Sequence, residues 1–237
     1  MLSNLRRLEF DDTCRLQPDV LCAMVTAATK LEVFGINWLP MEDSYHWPEG
    51  RTAGEIWQIL NLRKGTLKEV KLDINPMAYD GEMMELGSVR LGSLRKFERL
   101  EVLKVGDFAL QLIRERWEEE NRGRMGKESF LEGFFPKGIK EVTLWWPDGE
   151  MVPVVRRLAE VVKLGEYPML RRFTVAPLQM EDVEFDGWGT RDNQVVWRNN
   201  RKELRGVFGR GGVEFEVQTE VVYEYSDPLD GFQGVAF

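Results

Sequence analysis

The sequence predicts an α/β fold in which short parallel strands alternate with helices that cover one face of the sheet. Three observations carry this expectation. A six-residue pattern of apolar side chains recurs along the chain, the spacers between copies are long enough for a helix, and alternate positions within each copy are charged. Self-similarity at an interval of this size is the mark of a repeat architecture.

The pattern is apolar, two variable, apolar, one variable, apolar. It reads Leu5-Arg-Arg-Leu8-Glu-Phe10, Leu31-Glu-Val-Phe34-Gly-Ile36, Leu67-Lys-Glu-Val70-Lys-Leu72, Leu100-Glu-Val-Leu103-Lys-Val105, Ile139-Lys-Glu-Val142-Thr-Leu144 and Leu170-Arg-Arg-Phe173-Thr-Val175. The intervals between first residues are 26, 36, 33, 39 and 31. A weaker seventh copy, Gly212-Val-Glu-Phe215-Glu-Val217, opens on glycine. Positions 4 and 6 lie two residues apart and point to one face of a strand, while positions 3 and 5 point to the other and are largely polar. Each hexamer therefore reads as a short strand with one buried and one wet face.

The spacers carry the helical period. Pro18-Asp19 opens one, in which Leu21, Met24, Val25 and Ala28 fall at i, i+3, i+4 and i+7. Thr52-Ala-Gly-Glu55 is a capping-box sequence, followed by Ile56, Ile59 and Leu60 on one face. Leu110, Ile113 and Trp117 fit a helix, then Asn121-Arg-Gly-Arg-Met-Gly126 reads as a loop. Pro153, suited to a first helical turn, precedes Val155, Leu158 and Val162. Trp197, Leu204 and Phe208 share a face before Gly209-Arg-Gly-Gly212 stops the last helix.

Strand then helix, repeated, implies parallel strands joined by crossovers. A sheet covered on both faces would have strands apolar almost throughout. Here Lys68, Glu69 and Lys71 interrupt a strand, so helices are expected on one side only. Helices need more width than strands, and a sheet covered on one side curves into an arc. The expected fold is a leucine-rich-repeat solenoid, a short horseshoe of six to seven repeats with strands on the concave face and helices on the convex face. The repeats exceed the usual ~20–29 residues of that class, because full helices and loops fill the spacers.

The stretch Leu91-Gly-Ser-Leu-Arg-Lys-Phe-Glu-Arg-Leu-Glu-Val-Leu-Lys-Val105 resembles the leucine-rich repeats of fungal F-box-type proteins. The tail from Leu204 through Gly212-Val-Glu-Phe-Glu-Val217 is similar to the usual ending of those proteins. The resemblance implies a single domain over 1–237 that ends in a capping segment, 213–237. It also implies a role in choosing substrates for a ubiquitin ligase. In that family an F-box, a small helical module, contacts a Skp-type adaptor. No such module precedes Leu5, so adaptor binding is not carried over to these residues. The expectation is that this is the C-terminal part of a longer protein, and that the adaptor joins only if an F-box lies upstream. The fifth repeat departs from the family's asparagine-containing ending with Trp145-Trp146-Pro147, and only the third has Asn75 at position 9.

Composition narrows the function classes. The chain has 237 residues, 43% of them hydrophobic and 30% charged, ordinary for a folded domain that needs no disulfide or metal staple. Its net charge of −8 repels phosphate backbones on average, which argues against a nucleic-acid partner. The longest apolar run, Val20 to Val25, is far short of the ~20 residues a membrane span needs. Two cysteines and a start without a secretory leader point to the cytosol or nucleus.

No active site is expected, and no cofactor or metal. His46, the single histidine, sits between Tyr45 and Trp47 without partners at recognisable spacing. Cys14 and Cys22 lack a second pair for zinc, and Cys22 falls among core residues of the first helix. Glu118-Glu-Glu120 reads as a solvated helix end. The acidic run Glu181-Asp182-Val-Glu184-Phe-Asp186 lacks the spacing of a calcium loop. The glycines at 206, 209, 211 and 212 are not followed by the Lys-Ser or Lys-Thr of a phosphate loop.

What remains is a non-enzymatic surface that binds a protein, either the concave face or the inter-repeat loops 37–51 and 75–87. Position 3 presents Arg7, Val33, Glu69, Val102, Glu141, Arg172 and Glu214, and position 5 presents Glu9, Gly35, Lys71, Lys104, Thr143, Thr174 and Glu216. The outward series continues to Asp73 and Trp145. Trp145, Lys104, Glu141, Lys71, Glu69 and Asp73 are the expected partner-binding residues, with Trp145 the type of side chain that anchors an interface. Two alternatives stay open for them: Lys71 beside Glu69 and Lys104 beside Glu141 neutralise one another, and Trp145 packs under the loop at Pro147. A second function, a scaffold docked permanently in a complex, would call for a more apolar face than this one.

Overall fold

The computed structural model describes residues 2–10, 18–38, 53–74, 93–106, 109–110, 127–145, 147, 149–176 and 190–218. They contain one sheet of seven parallel strands whose spatial order is their order in the chain. The strands are β1 (Arg7–Phe10), β2 (Val33–Trp38), β3 (Glu69–Ile74), β4 (Val102–Gly106), β5 (Glu141–Trp145), β6 (Arg172–Ala176) and β7 (Glu214–Val217). Every strand is built on one of the hexamers. Neighbours pair position 3 with position 3, from Arg7↔Val33 and Val33↔Glu69 through to Arg172↔Glu214.

This register follows from how each strand begins. The carbonyl at position 2 of one hexamer accepts from the N–H groups at positions 2 and 3 of the next. Arg6 O accepts from Glu32 and Val33, Glu32 O from Lys68 and Glu69, Lys68 O from Glu101 and Val102, and Glu101 O from Lys140 and Glu141. Position 2 side chains reinforce it over the first five strands, because their charges alternate from Arg6 to Lys140 along the rim of the sheet. Glu32 pairs with Arg6 at 3.4 Å and with Lys68 at 3.0 Å, and Lys140 pairs with Glu101 at 2.9 Å. Opposite charges on adjacent strands favour this alignment over a slipped one.

Among the described residues four α-helices join the strands: α1 (Pro18–Ala27), α2 (Ala53–Leu62), α3 (Met151–Lys163) and α4 (Thr190–Arg210). In α1 Leu21 and Val25 are buried, with Ala28 just beyond, and Met24 and Cys22 pack half-buried against the core. Asp19 Oδ1 accepts from the Val20 N–H at its start. In α2 Ile56, Ile59 and Leu60 are buried, and in α3 so are Val155, Leu158 and Val162. α4 buries Trp197, Leu204 and Phe208 and ends before Gly212, whose φ of 76° is a left-handed conformation that favours glycine. The spacer before β4 holds a 3-10 turn, Leu94–Lys96, and the one before β5 another, Lys127–Gly133. Ala109 and Leu110 are helical and buried, whereas Ile113, Trp117 and Thr52 of the capping box lie outside what is described, and Glu55 falls in the first turn of α2.

Helices and the apolar strand face share one core, with Leu8, Phe34, Val70, Leu103, Val142, Phe173 and Phe215 at position 4 all inside it. At the β7 end Phe208, Phe173 and Phe215 stack on one another, with centroids 5.1, 5.2 and 6.3 Å apart. The Trp197 indole N–H donates to the Pro147 carbonyl at 2.9 Å, which ties α4 to the loop after β5.

The opposite sheet face departs from expectation in places. Glu9, Lys71, Lys104 and Thr143 are only partly covered, as a wet face requires. Asp73, Thr174 and Ala176 share that parity and are nonetheless buried, with 4%, 3% and 1% of their surface exposed. The face is therefore open over its middle and closed at the ends of β3 and β6.

Candidate functional site

Among the described residues two charge networks lie on the open strand face. In the first, Glu9 on β1 accepts from Arg7 at 2.6 Å and pairs with Lys71 on β3. Lys71 also meets Glu69 at 3.6 Å, and Glu69 reaches Lys104 on β4 at 4.0 Å. In the second, Arg172 on β6 bridges Glu141 on β5 at 3.8 Å and Glu214 on β7 at 3.2 Å.

Glu9 reaches β3 by passing over β2, and Gly35 is what lets it. A Cβ placed on Gly35 would lie 2.9 Å from Glu9 Cγ, inside any allowed contact. The hydrogen bond from Lys71 holds the Glu9 carboxyl below its usual range; burial opposes this and the hydrogen bond from Arg7 adds to it. Lys71 and Lys104 sit directly opposite each other across β3 and β4. Their repulsion is relieved because Glu9 and Glu69 flank them.

Between the networks lies a patch without charge. Val102 and Thr143 are half-buried there, and Trp145 at the end of β5 is half-buried between Gly106 and Ala176 on the neighbouring strands. Neither neighbour has the bulk to hem in the indole. A half-covered indole ringed by paired charges offers apolar contact area whose neighbours already have their electrostatic needs met.

Lys71, Glu69 and Lys104 come together as expected, with Glu9 as a fourth member. The expected pairing of Lys104 with Glu141 is corrected: register places Lys104 beside Thr143 and Val102 beside Glu141, so Glu141 turns to Arg172. Asp73 is 4% exposed; its row aligns with Gly106, where a Cβ would lie 3.0 Å from Asp73 Oδ1. Gly35 and Arg172 stand in the position 5 and position 3 series of the sequence but not among the expected partner-binding residues; the missing side chain at position 5 and the order of charges at position 3 are the signals that mark them.

Among the described residues no group of three or more His, Cys, Asp and Glu stands close enough to hold a metal ion. His46, Cys14, Glu118–Glu120, Glu181–Asp186 and the candidate loops 39–51 and 75–87 lie outside the described residues, as does 219–237 of the capping segment. Among the described residues no helix is long and apolar enough to cross a membrane. No family model, no curated protein and no solved structure matches the chain.

Proposed function

We propose that this chain is a leucine-rich-repeat solenoid that binds a protein through its open strand face, with Trp145 as the anchor. The observation that carries the reading is the uncharged patch of Val102, Thr143 and Trp145 between two charge networks of described residues. An apolar centre with a polar rim is the anatomy of a non-obligate interface. The chain performs no chemistry of its own in this reading. A rigid sheet has little entropy to lose on binding, which suits a recognition surface. By the resemblance of its repeats, the partner is a substrate being chosen for a ubiquitin ligase, whose other subunits carry out the transfer. The charged surroundings of the patch favour this over a permanently docked scaffold, whose interface would be more apolar.

The test is affinity capture from native extract with the full chain and with Trp145→Ala, beside a thermal unfolding measurement of each. Loss of a central aromatic anchor should weaken capture about thirty-fold at unchanged stability. Equal capture by both proteins removes Trp145 and this face. Recovery of Skp and cullin subunits supports the ligase assignment, and a fixed stoichiometric complex without them supports assembly.

A further inference from the structure

The seam between β4 and β5 carries a different group at each level of the ladder. Register sets Val102 beside Glu141, Lys104 beside Thr143 and Gly106 beside Trp145. Each level thus presents one distinctive group, an anion, then a cation, then an indole, next to a neighbour with no charge. Successive levels are two residues apart, about 6.6 Å along the strands. Glu141, Lys104 and Trp145 are all half-buried.

The two charges at the seam have capacity to spare. Lys104 meets Glu69 at 4.0 Å, the longest pair of its network among the described residues, and Glu69 also serves Lys71 at 3.6 Å. Glu141 meets Arg172 at 3.8 Å, while Arg172 stands nearer to Glu214, at 3.2 Å. The Lys104 side chain keeps 34% of its surface exposed and that of Glu141 47%. Pairs this long and this exposed are weak. An ammonium has three donors and a carboxylate about four acceptor sites, so each takes a further partner without giving up the one it has.

We infer that the seam takes an extended segment of a partner protein that carries a large apolar, an acidic and a basic side chain at alternate positions, set on Trp145, Lys104 and Glu141 in that order. This rests on the reading of the open strand face as a protein-binding surface and adds the chemistry of what it binds. Alternate residues of an extended chain share one face and advance about 6.6 Å per step, so they meet the three levels one for one. A helix comes near this spacing at i, i+4 and i+8, but over that length its side chains turn about 80° off the line. Charge also selects between candidates, because a segment with its acidic and basic residues exchanged meets like charge at both levels.

The experiment is selection from a random peptide library displayed on phage, with the full chain as bait and only those clones kept that lose binding to Trp145→Ala. Enriched clones should carry apolar, acidic and basic residues at i, i+2 and i+4, read in one direction along the peptide. On the double variant Lys104→Glu with Glu141→Lys the acidic and basic positions should exchange. A clone selected on the natural protein should bind that variant about tenfold more weakly. Thermal unfolding shows whether each variant is folded. Should the double reversal unfold, Lys104→Gln with Glu141→Gln takes its place and should erase the charge preference while leaving the apolar one. Clones that depend on Trp145 but carry no charge preference, or the same preference on both proteins, or charges at helical spacing, overturn the inference and leave the binding face standing. An absence of any clone that depends on Trp145 overturns the inference and the binding face together.

Discussion

Glu9 shows how much one absent side chain can arrange. Without Gly35 beneath it, its carboxylate would stop at β2; with it, Arg7, Lys71 and Glu69 join across three strands. Gly35→Val should displace Glu9 and return its carboxyl pKa upward toward the ordinary value of about 4.3, as should Lys71→Met. A carbon-13 titration of the carboxyl group reads this directly. The sign follows from linkage: the lowered folded pKa contributes stability that is present above the unfolded value and lost as pH falls through the folded one. Tyr167 titrates the other way. Burial pushes its phenol up to about 12, and its hydroxyl donates to the Leu131 and Glu132 carbonyls. Its stability contribution is complete below pH 10 and disappears between 10 and 12. Tyr167→Phe should therefore flatten the alkaline limb of a stability-against-pH curve, and an unchanged limb would contradict this.

At the scale of elements, arginines close what the backbone leaves open. The C-terminal carbonyls of α1 have no partners within the helix. Arg63, just after α2, donates from Nε to Val25 O at 2.9 Å and from Nη2 to Thr26 O. This caps α1 with a positive charge where its dipole is negative, and it ties α1 to the end of α2. Arg63→Ala should cost about 1 kcal/mol, with Arg63→Lys recovering only part because it lacks the fork. Urea unfolding measures both. Such contacts were not legible in the sequence, since Arg63 and Val25 stand 38 residues apart and only the packing of α1 beside α2 brings them together. The elements themselves were legible. Apolar spacing located α1, α2, α3 and α4 because each must bury one stripe, and the stop at Gly212 because a reversal there needs a positive φ.

Across the whole molecule the core is one connected layer, so damage at one end should spread to neighbours before it reaches the far end. Phe208 belongs to a three-ring cluster with Phe173 and Phe215 that joins β6, β7 and α4. Phe208→Ala should cost about 3–5 kcal/mol. Exchange protection should fall at β6 and β7 first while β1 to β3 hold. Uniform loss across all strands would mean the sheet unfolds as a single unit.

The hexamers determined which residues become strands, which face of each is apolar, and the order in which the strands lie. Side-chain alternation and crossover length are local properties, and the pairing of like position with like follows once neighbours are stacked. Tertiary structure alone decided which charges meet. Glu141 went to Arg172 rather than Lys104, and Asp73, on the outward parity of its strand, is 4% exposed. The physical reason is distance: a salt bridge is settled within about 4 Å by rotamers and neighbouring bulk, and a pattern of residue types along a chain holds no record of either.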